Sequence, residues 1–135
     1  MRAVLADTGP LYAAAIASDQ YHARAQEEGA RISRAALPVF ALYPTVVEAY
    51  SLVLRRVTPA TAHAWVNDLL ERVNLLNPTA EDYHEAVGLV QRYEDQTLSL
   101  FDALLAVTSG QLEVAVWTFD RDFDTMRVPV WRGEA

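Results

Sequence analysis

Four acidic side chains, Asp7, Glu48, Asp102 and Asp120, stand where secondary-structure elements are expected to begin or end. Asp7 follows the apolar run Ala3 to Ala6, and Asp120 follows the alternating run Glu113 to Phe119. Glu48 and Asp102 fall one turn into the segments opened by Pro44-Thr45 and Ser99-Leu100, beside Val46-Val47 and Leu100-Phe101. Taken singly, each has a structural job: Asp7 and Asp120 as helix N-caps, Thr45 to Glu48 and Ser99 to Asp102 as capping boxes. Taken together they pose a charge problem, because acids on largely buried elements need partners. The chain has no Lys, and the Arg residues nearest in sequence, Arg55 and Arg121, are too few for four acids. Two carboxylates about 4 Å apart repel by roughly 4 kcal/mol at an effective dielectric near 20, so a converging set calls for a cation. Oxygen ligands in a chain without Cys favour Mg²⁺ or Mn²⁺, and helix N-termini are expected to keep the acids ionised.

A carboxylate-held divalent ion that keeps water suits phosphodiester hydrolysis, by Lewis-acid activation and by clamping the phosphate. No histidine is needed for that chemistry. His22, His63 and His84 lie in separate helix-like segments without ligand spacing and read as surface or packing residues. Neither a Gly-rich phosphate loop nor a Ser-His-Asp arrangement is visible.

The elements that must position these acids alternate along the chain. Strands are predicted at Ala3 to Ala6, Pro38 to Tyr43, Val73 to Leu76 and Glu113 to Phe119, with a last one near Val128 to Trp131. Helices are predicted from Asp7 to about Ala17, Tyr21 to Ala35, Pro44 to Arg56, Thr58 to Arg72, Thr79 to Tyr93 and Ser99 to Ser109, the last ended by Gly110. Tyr83, Val87 and Val90 mark one face of the fifth. Strands separated by helices pair in parallel through right-handed crossovers, and ligands collect at the strands' carboxyl ends where the order switches. The expectation is an α/β fold forming a single domain over residues 1–135.

Composition agrees with a folded domain: 52% of the 135 residues are hydrophobic and 21% charged. No apolar stretch reaches the roughly 20 residues of a membrane span, and the run before Asp7 is too short for a secretory signal, so a cytoplasmic protein is expected. The eleven basic residues, all Arg, face eighteen acids, a net charge of −7 that argues against nucleic acid unless bound cations offset it at the site. Arg55, Arg56 and Arg121, close in sequence to the acids, are the candidates to meet an RNA phosphate.

Over nearly the whole chain these residues resemble the PIN domain family, and within it the VapC-type toxins of toxin-antitoxin pairs. The resemblance is carried by Val4-Leu5-Ala6-Asp7-Thr8, Asp19-Gln20-Tyr21-His22, Pro44-Thr45-Val46-Val47-Glu48-Ala49-Tyr50, Leu98-Ser99-Leu100-Phe101-Asp102-Ala103 and Thr118-Phe119-Asp120-Arg121-Asp122-Phe123. It implies a three-layer α/β/α sandwich on a central parallel sheet, and a Mg²⁺- or Mn²⁺-dependent endoribonuclease leaving 5′-phosphate products. It also implies a homodimer and a cognate antitoxin, whose Arg could enter the acidic pocket. Asp7, Glu48, Asp102 and Asp120 become the metal-binding acids, Thr8 and Thr118 hydroxyls that orient a ligand or water, and Asp122 a candidate fifth acid. If the segment after Asp120 turns helical, Asp122 falls about 200° around the axis, away from the same ion, and Asp124 returns to that face one turn on.

Other classes fit less well. Asp7-Thr8-Gly9 lacks the second Asp two positions on that haloacid-dehalogenase-like phosphatases use, and a phospho-receiver domain needs a Lys. A housekeeping RNA-processing PIN nuclease and a degenerate binding or regulatory module that keeps only the fold are the alternatives within the resemblance.

Overall fold

The computed structural model describes residues 2–133. Its centre is strand β1 (Val4–Ala6), whose three side chains have no exposed surface. A continuous apolar run buried on both faces is the mark of a strand inside a parallel sheet. Thereafter come α1 (Thr8–Ala15), α2 (His22–Arg34), β2 (Val39–Leu42), α3 (Tyr43–Arg56), α4 (Pro59–Arg72) and β3 (Asn74–Leu76). The chain continues with α5 (Ala80–Arg92), α6 (Leu100–Leu112), β4 (Ala115–Trp117) and the short α7 (Asp122–Thr125).

The four strands are parallel in the order β3-β2-β1-β4, with Leu5 opposite both Phe40 and Val116. Moving from β1 to β2 to β3 the chain steps one way, and then it returns to lay β4 on the other side of β1. Crossovers of one hand running in opposite directions put their helices on opposite faces. Accordingly Val4 and Ala6 pack with Leu11, Val53, Trp65 and Leu69 from α1, α3 and α4, while Leu5 packs with Ala86, Leu104, Leu105 and Phe123 from α5 to α7. The result is the expected α/β/α sandwich. Its order reverses at β1, so the crevice at the carboxyl ends of β1 and β4 is the switch point. No helix among the described residues is long and apolar enough to cross a membrane.

Local signals account for most boundaries. Thr58 caps α4 with Pro59 in its first turn, Thr79 and Asp82 form a reciprocal capping box on α5, and Ser99 caps α6 by accepting from Asp102 N–H. Several boundaries differ from expectation. Helix α6 runs through Gly110 to Leu112, because the left-handed residue that stops it is Glu113 (φ 56°), with Val114 N–H returning to Ser109 O and the Ser109 hydroxyl donating to Val114 O. Helix α3 starts at Tyr43 with Pro44 in its first turn, so Thr45 lies inside the helix and no Thr45–Glu48 capping box forms. Asp120 likewise is not the cap of α7, which Arg121 precedes directly. Strand β4 stops at Trp117, and the strand expected near Val128 to Trp131 is reduced to one bridge between Val116 and Val130. On α5 the buried residue is Ala86, with Leu89 and Val90 beside it, whereas Tyr83 and Val87 face solvent.

Candidate active site

Asp7 is the first residue past β1, and three hydrogen bonds fix it, two of them across the switch point. Its N–H donates to Trp117 O of β4 (2.9 Å), its Oδ1 accepts from Thr8 N–H (2.8 Å) and its Oδ2 accepts from the Thr118 hydroxyl (2.7 Å). Thr118 Oγ1 also accepts from Asp120 N–H (3.0 Å), and Asp120 Oδ1 accepts from Asp122 N–H (2.9 Å). Successive turns thus fold the segment after β4 back over Asp7, and α7 begins only at Asp122.

Asp102 arrives from the other layer. Ser99 fixes the first turn of α6, so the side chain one turn in emerges at the carboxyl ends of the strands. Asp7, Glu48, Asp102 and Asp120 line one cleft of about 640 Å³ together with Thr8 and Arg56. The acids are not equally buried: Asp7 and Asp102 are 7% and 8% exposed, whereas Glu48 and Asp120 are open to solvent. Glu48 therefore departs from the expectation of a buried acid, since α3 also leaves its neighbour Val47 exposed.

The electrostatics also correct the sequence reading. Burial pushes the Asp7 carboxyl up to about 6, the charges of Asp120 and Glu48 add to the rise, and the bonds from Thr118 and Thr8 oppose it. Burial is again the main cause at Asp102, raised to about 7, where the charges of Asp7, Asp120 and Asp122 act in the same direction and Ser99 in the opposite one. Helix N-termini are expected to lower the values of these acids; desolvation and mutual repulsion outweigh that effect.

Asp122 belongs to the cluster. Single carboxylate oxygens of Asp102, Asp120 and Asp122 all lie within 4.8 Å of one another, a spacing one cation could bridge. The expected 200° separation fails because Asp120 lies outside the helix that begins at Asp122. Asp124 does not return to the site, because both its oxygens accept from Arg132 (2.9 Å each). Among the arginines, only Arg56 of the three expected lines the cleft, its guanidinium 5.4 Å from the centre of the Tyr12 ring. Arg55 is exposed about 100° around α3 from it, and Arg121 is exposed at the entrance to α7.

The sequence reading assigned no role to Tyr12, Tyr21 or Phe119, which line the same cleft. Aromatic residues at such spacings occur equally in cores, so residue type gives no separate signal; for Phe119 the usable one is its place between Thr118 and Asp120.

Solved structures share this architecture. Mycobacterium tuberculosis VapC20, described as a sarcin-ricin loop cleaving toxin, superposes with a TM-score of 0.84 at 22% identity, covering 96% of this chain and 99% of that one. VapBC2 from Rickettsia felis, bound to a DNA fragment from its promoter, gives 0.73 at 11% identity over 96% of each chain. A toxin-antitoxin complex from Klebsiella pneumoniae gives 0.69 at 19% identity over 98% of each. No curated protein matches the sequence. The PIN domain model, by contrast, matches residues 4–129, from the first residue of β1 to beyond α7 and through every acid of the cleft. With that span covered, this chain belongs to the PIN domain family.

Proposed function

We propose that the chain is a Mg²⁺- or Mn²⁺-dependent endoribonuclease and the toxin of a toxin-antitoxin pair acting in the cytoplasm. The observation that carries this reading is the convergence of Asp7, Asp102, Asp120 and Asp122 from both helical layers on one crevice, with Asp7 and Asp102 pushed up by burial and by their neighbours' charges. The residues fit a divalent ion. The donors are hard oxygens, three of them mutually within 4.8 Å, and the Thr8 hydroxyl beside them is buried without a partner among the described residues. Asp102, Asp120 and Asp122 would hold the ion, with Asp7 completing its surroundings. When bound, it supplies Lewis-acid activation of water and phosphate.

The remaining steps fall to the chain's own groups. Thr118, bonded to both Asp7 and Asp120, keeps the acids of β1 and β4 in one frame. Glu48, exposed and lining the cleft, has the access to accept the proton of the attacking water. Arg56, seated against Tyr12, offers a cation to the RNA phosphate. Water adds at phosphorus as the 3′ oxygen departs, leaving a 5′-phosphate on one fragment and a hydroxyl on the other.

The toxin reading is supported by the descriptions of one structural neighbour as a toxin and of another as a toxin-antitoxin complex. A cognate antitoxin would silence the site by placing an Arg among the carboxylates. A homodimer is part of the reading, supported by Val47 and Leu54, two turns apart on α3 and both exposed.

The test is to induce wild type and Asp102→Asn in parallel and sequence RNA 5′-phosphate ends. New ends confined to wild type are expected; equal cleavage by the variant overturns the assignment.

A further inference from the structure

Asp19 and Tyr21 of the motif Asp19-Gln20-Tyr21-His22 line the acidic cleft beside the three-acid group, and the motif is firmly built. Asp19 Oδ2 accepts from Tyr21 N–H (2.9 Å), Asp19 O accepts from His22 N–H (3.1 Å), and Asp19 N–H donates to Ile16 O (3.0 Å). His22 Nδ1 lies 2.7 Å from Ala13 O, tying the start of α2 to α1. What this turn presents is the Tyr21 ring, 43% exposed, on the wall of the acidic cleft.

Tyr21 meets Phe119 with ring centres 5.2 Å apart and planes tilted by 40°. Phe119 sits between Thr118, bonded to Asp7, and Asp120. Arg24, one turn into α2, lies with its guanidinium 4.4 Å from the Phe119 ring centre, and Glu28 holds its Nε at 3.2 Å. Two aromatic rings and an arginine plane therefore form a continuous wall beginning one residue from the acids. Unlike the similarly exposed Tyr43 and Tyr83, Tyr21 lines the acidic cleft.

We infer that Tyr21 and Phe119, with Arg24 behind them, form a stacking platform for one unpaired nucleobase next to the scissile phosphate. The inference rests on the ribonuclease reading and adds to it the substrate's state: RNA whose base is free to leave its own stack. Every base has a flat face, so the platform selects exposed loops over duplex and discriminates little among base identities. In a chain of net charge −7, this apolar contact supplies affinity that phosphate attraction alone does not.

The experiment uses the full chain in the Asp102→Asn background with a short single-stranded oligoribonucleotide carrying 2-aminopurine, in Mn²⁺. Binding is expected to quench the fluorophore. Tyr21→Ala is expected to remove the quench and weaken binding about 10-fold, while Tyr21→Phe retains both. An oligomer of abasic ribose phosphates of the same length is expected to bind Tyr21 and Tyr21→Ala chains equally. With Asp102 intact, Tyr21→Ala is expected to raise KM and leave kcat unchanged, the split of a binding contact that a folding defect does not produce. If wild type cleaves RNA while Tyr21→Ala binds and quenches as its parent does, the platform is wrong and the nuclease reading stands. If wild type in Mn²⁺ neither binds nor cleaves RNA, both fall.

Discussion

Two clefts of similar size open on this molecule, and they differ in what their charges have for company. One, of about 550 Å³, lies between α2 and α4 and is lined by small and apolar residues such as Ala14, Gly29, Ile32, Trp65 and Trp117. Its acid, Asp68, is paired with Arg72 at 2.7 Å. The other, of about 640 Å³, gathers Asp7, Glu48, Asp102 and Asp120, and among the described residues none of these is in an ion pair. Volume does not separate the two. Unmet charge does, since a fold that concentrates acids without counter-ions bears a cost that a ligand can remove.

The comparison predicts opposite responses to mutation. Trp65→Ala empties part of the apolar cleft and is expected to cost about 3–5 kcal/mol in denaturant unfolding. Adding Mn²⁺ is expected to raise the melting temperature of wild type and of this variant alike; a rise in wild type alone would show that the two clefts are coupled. Asp102→Asn is expected to lower RNA cleavage at least about 100-fold, about 2.7 kcal/mol of barrier, without lowering stability in the absence of metal, because it removes a repelled buried charge. A large drop in stability would mean that Asp102 serves packing and not chemistry.

Acidity sharpens the contrast further. Asp7 and Asp102 have folded values of about 6 and about 7, above the ordinary carboxylate value, so between about pH 4 and 7 the folded state binds the extra protons. The contribution of these two groups to stability without metal is therefore fully present at the acid end of that window and is lost as pH rises through it. Thermal melts at pH 5 and pH 8 check this; millimolar Mg²⁺ should raise the melting temperature chiefly at pH 8, and a flat profile would remove the electrostatic basis of the site. The smallest effect belongs to Asp124→Asn, which breaks an exposed pair with Arg132 and is expected to cost about 0.5 kcal/mol with cleavage unchanged. Lost cleavage there would move Asp124 into the site.

Much of this organisation is legible in the sequence because it rests on local rules. The apolar run Val4 to Ala6 ending in Asp7, the caps at Thr58, Thr79 and Ser99, and the alternation of strands with helices suffice to forecast a parallel sheet with acids at its carboxyl ends. The failures have a common cause, since each depended on a tertiary contact or a backbone turn. Gly110 looked like a helix stop, but the left-handed turn formed at Glu113. Asp122 looked averted because a helix was counted from Asp120, whereas the Thr118 hydroxyl turns that segment first. The upward shift at Asp7 and Asp102 is not legible because the sequence shows a helix start and not the depth of burial that overrides it. The platform at Tyr21 and Phe119 joins residues almost a hundred positions apart, a proximity that only the fold creates.

The threefold anchoring of Asp7 has a consequence for how inactive variants are to be interpreted. The same residue ends the central strand, starts a helix and latches the neighbouring strand through Thr118, so a genetic screen for lost activity will recover changes there by two independent routes, damaged chemistry or damaged assembly. Null alleles at residue 7 are thus ambiguous by construction, and the cleaner knock-out lies at solvent-open Asp120, where the scaffold has less at stake.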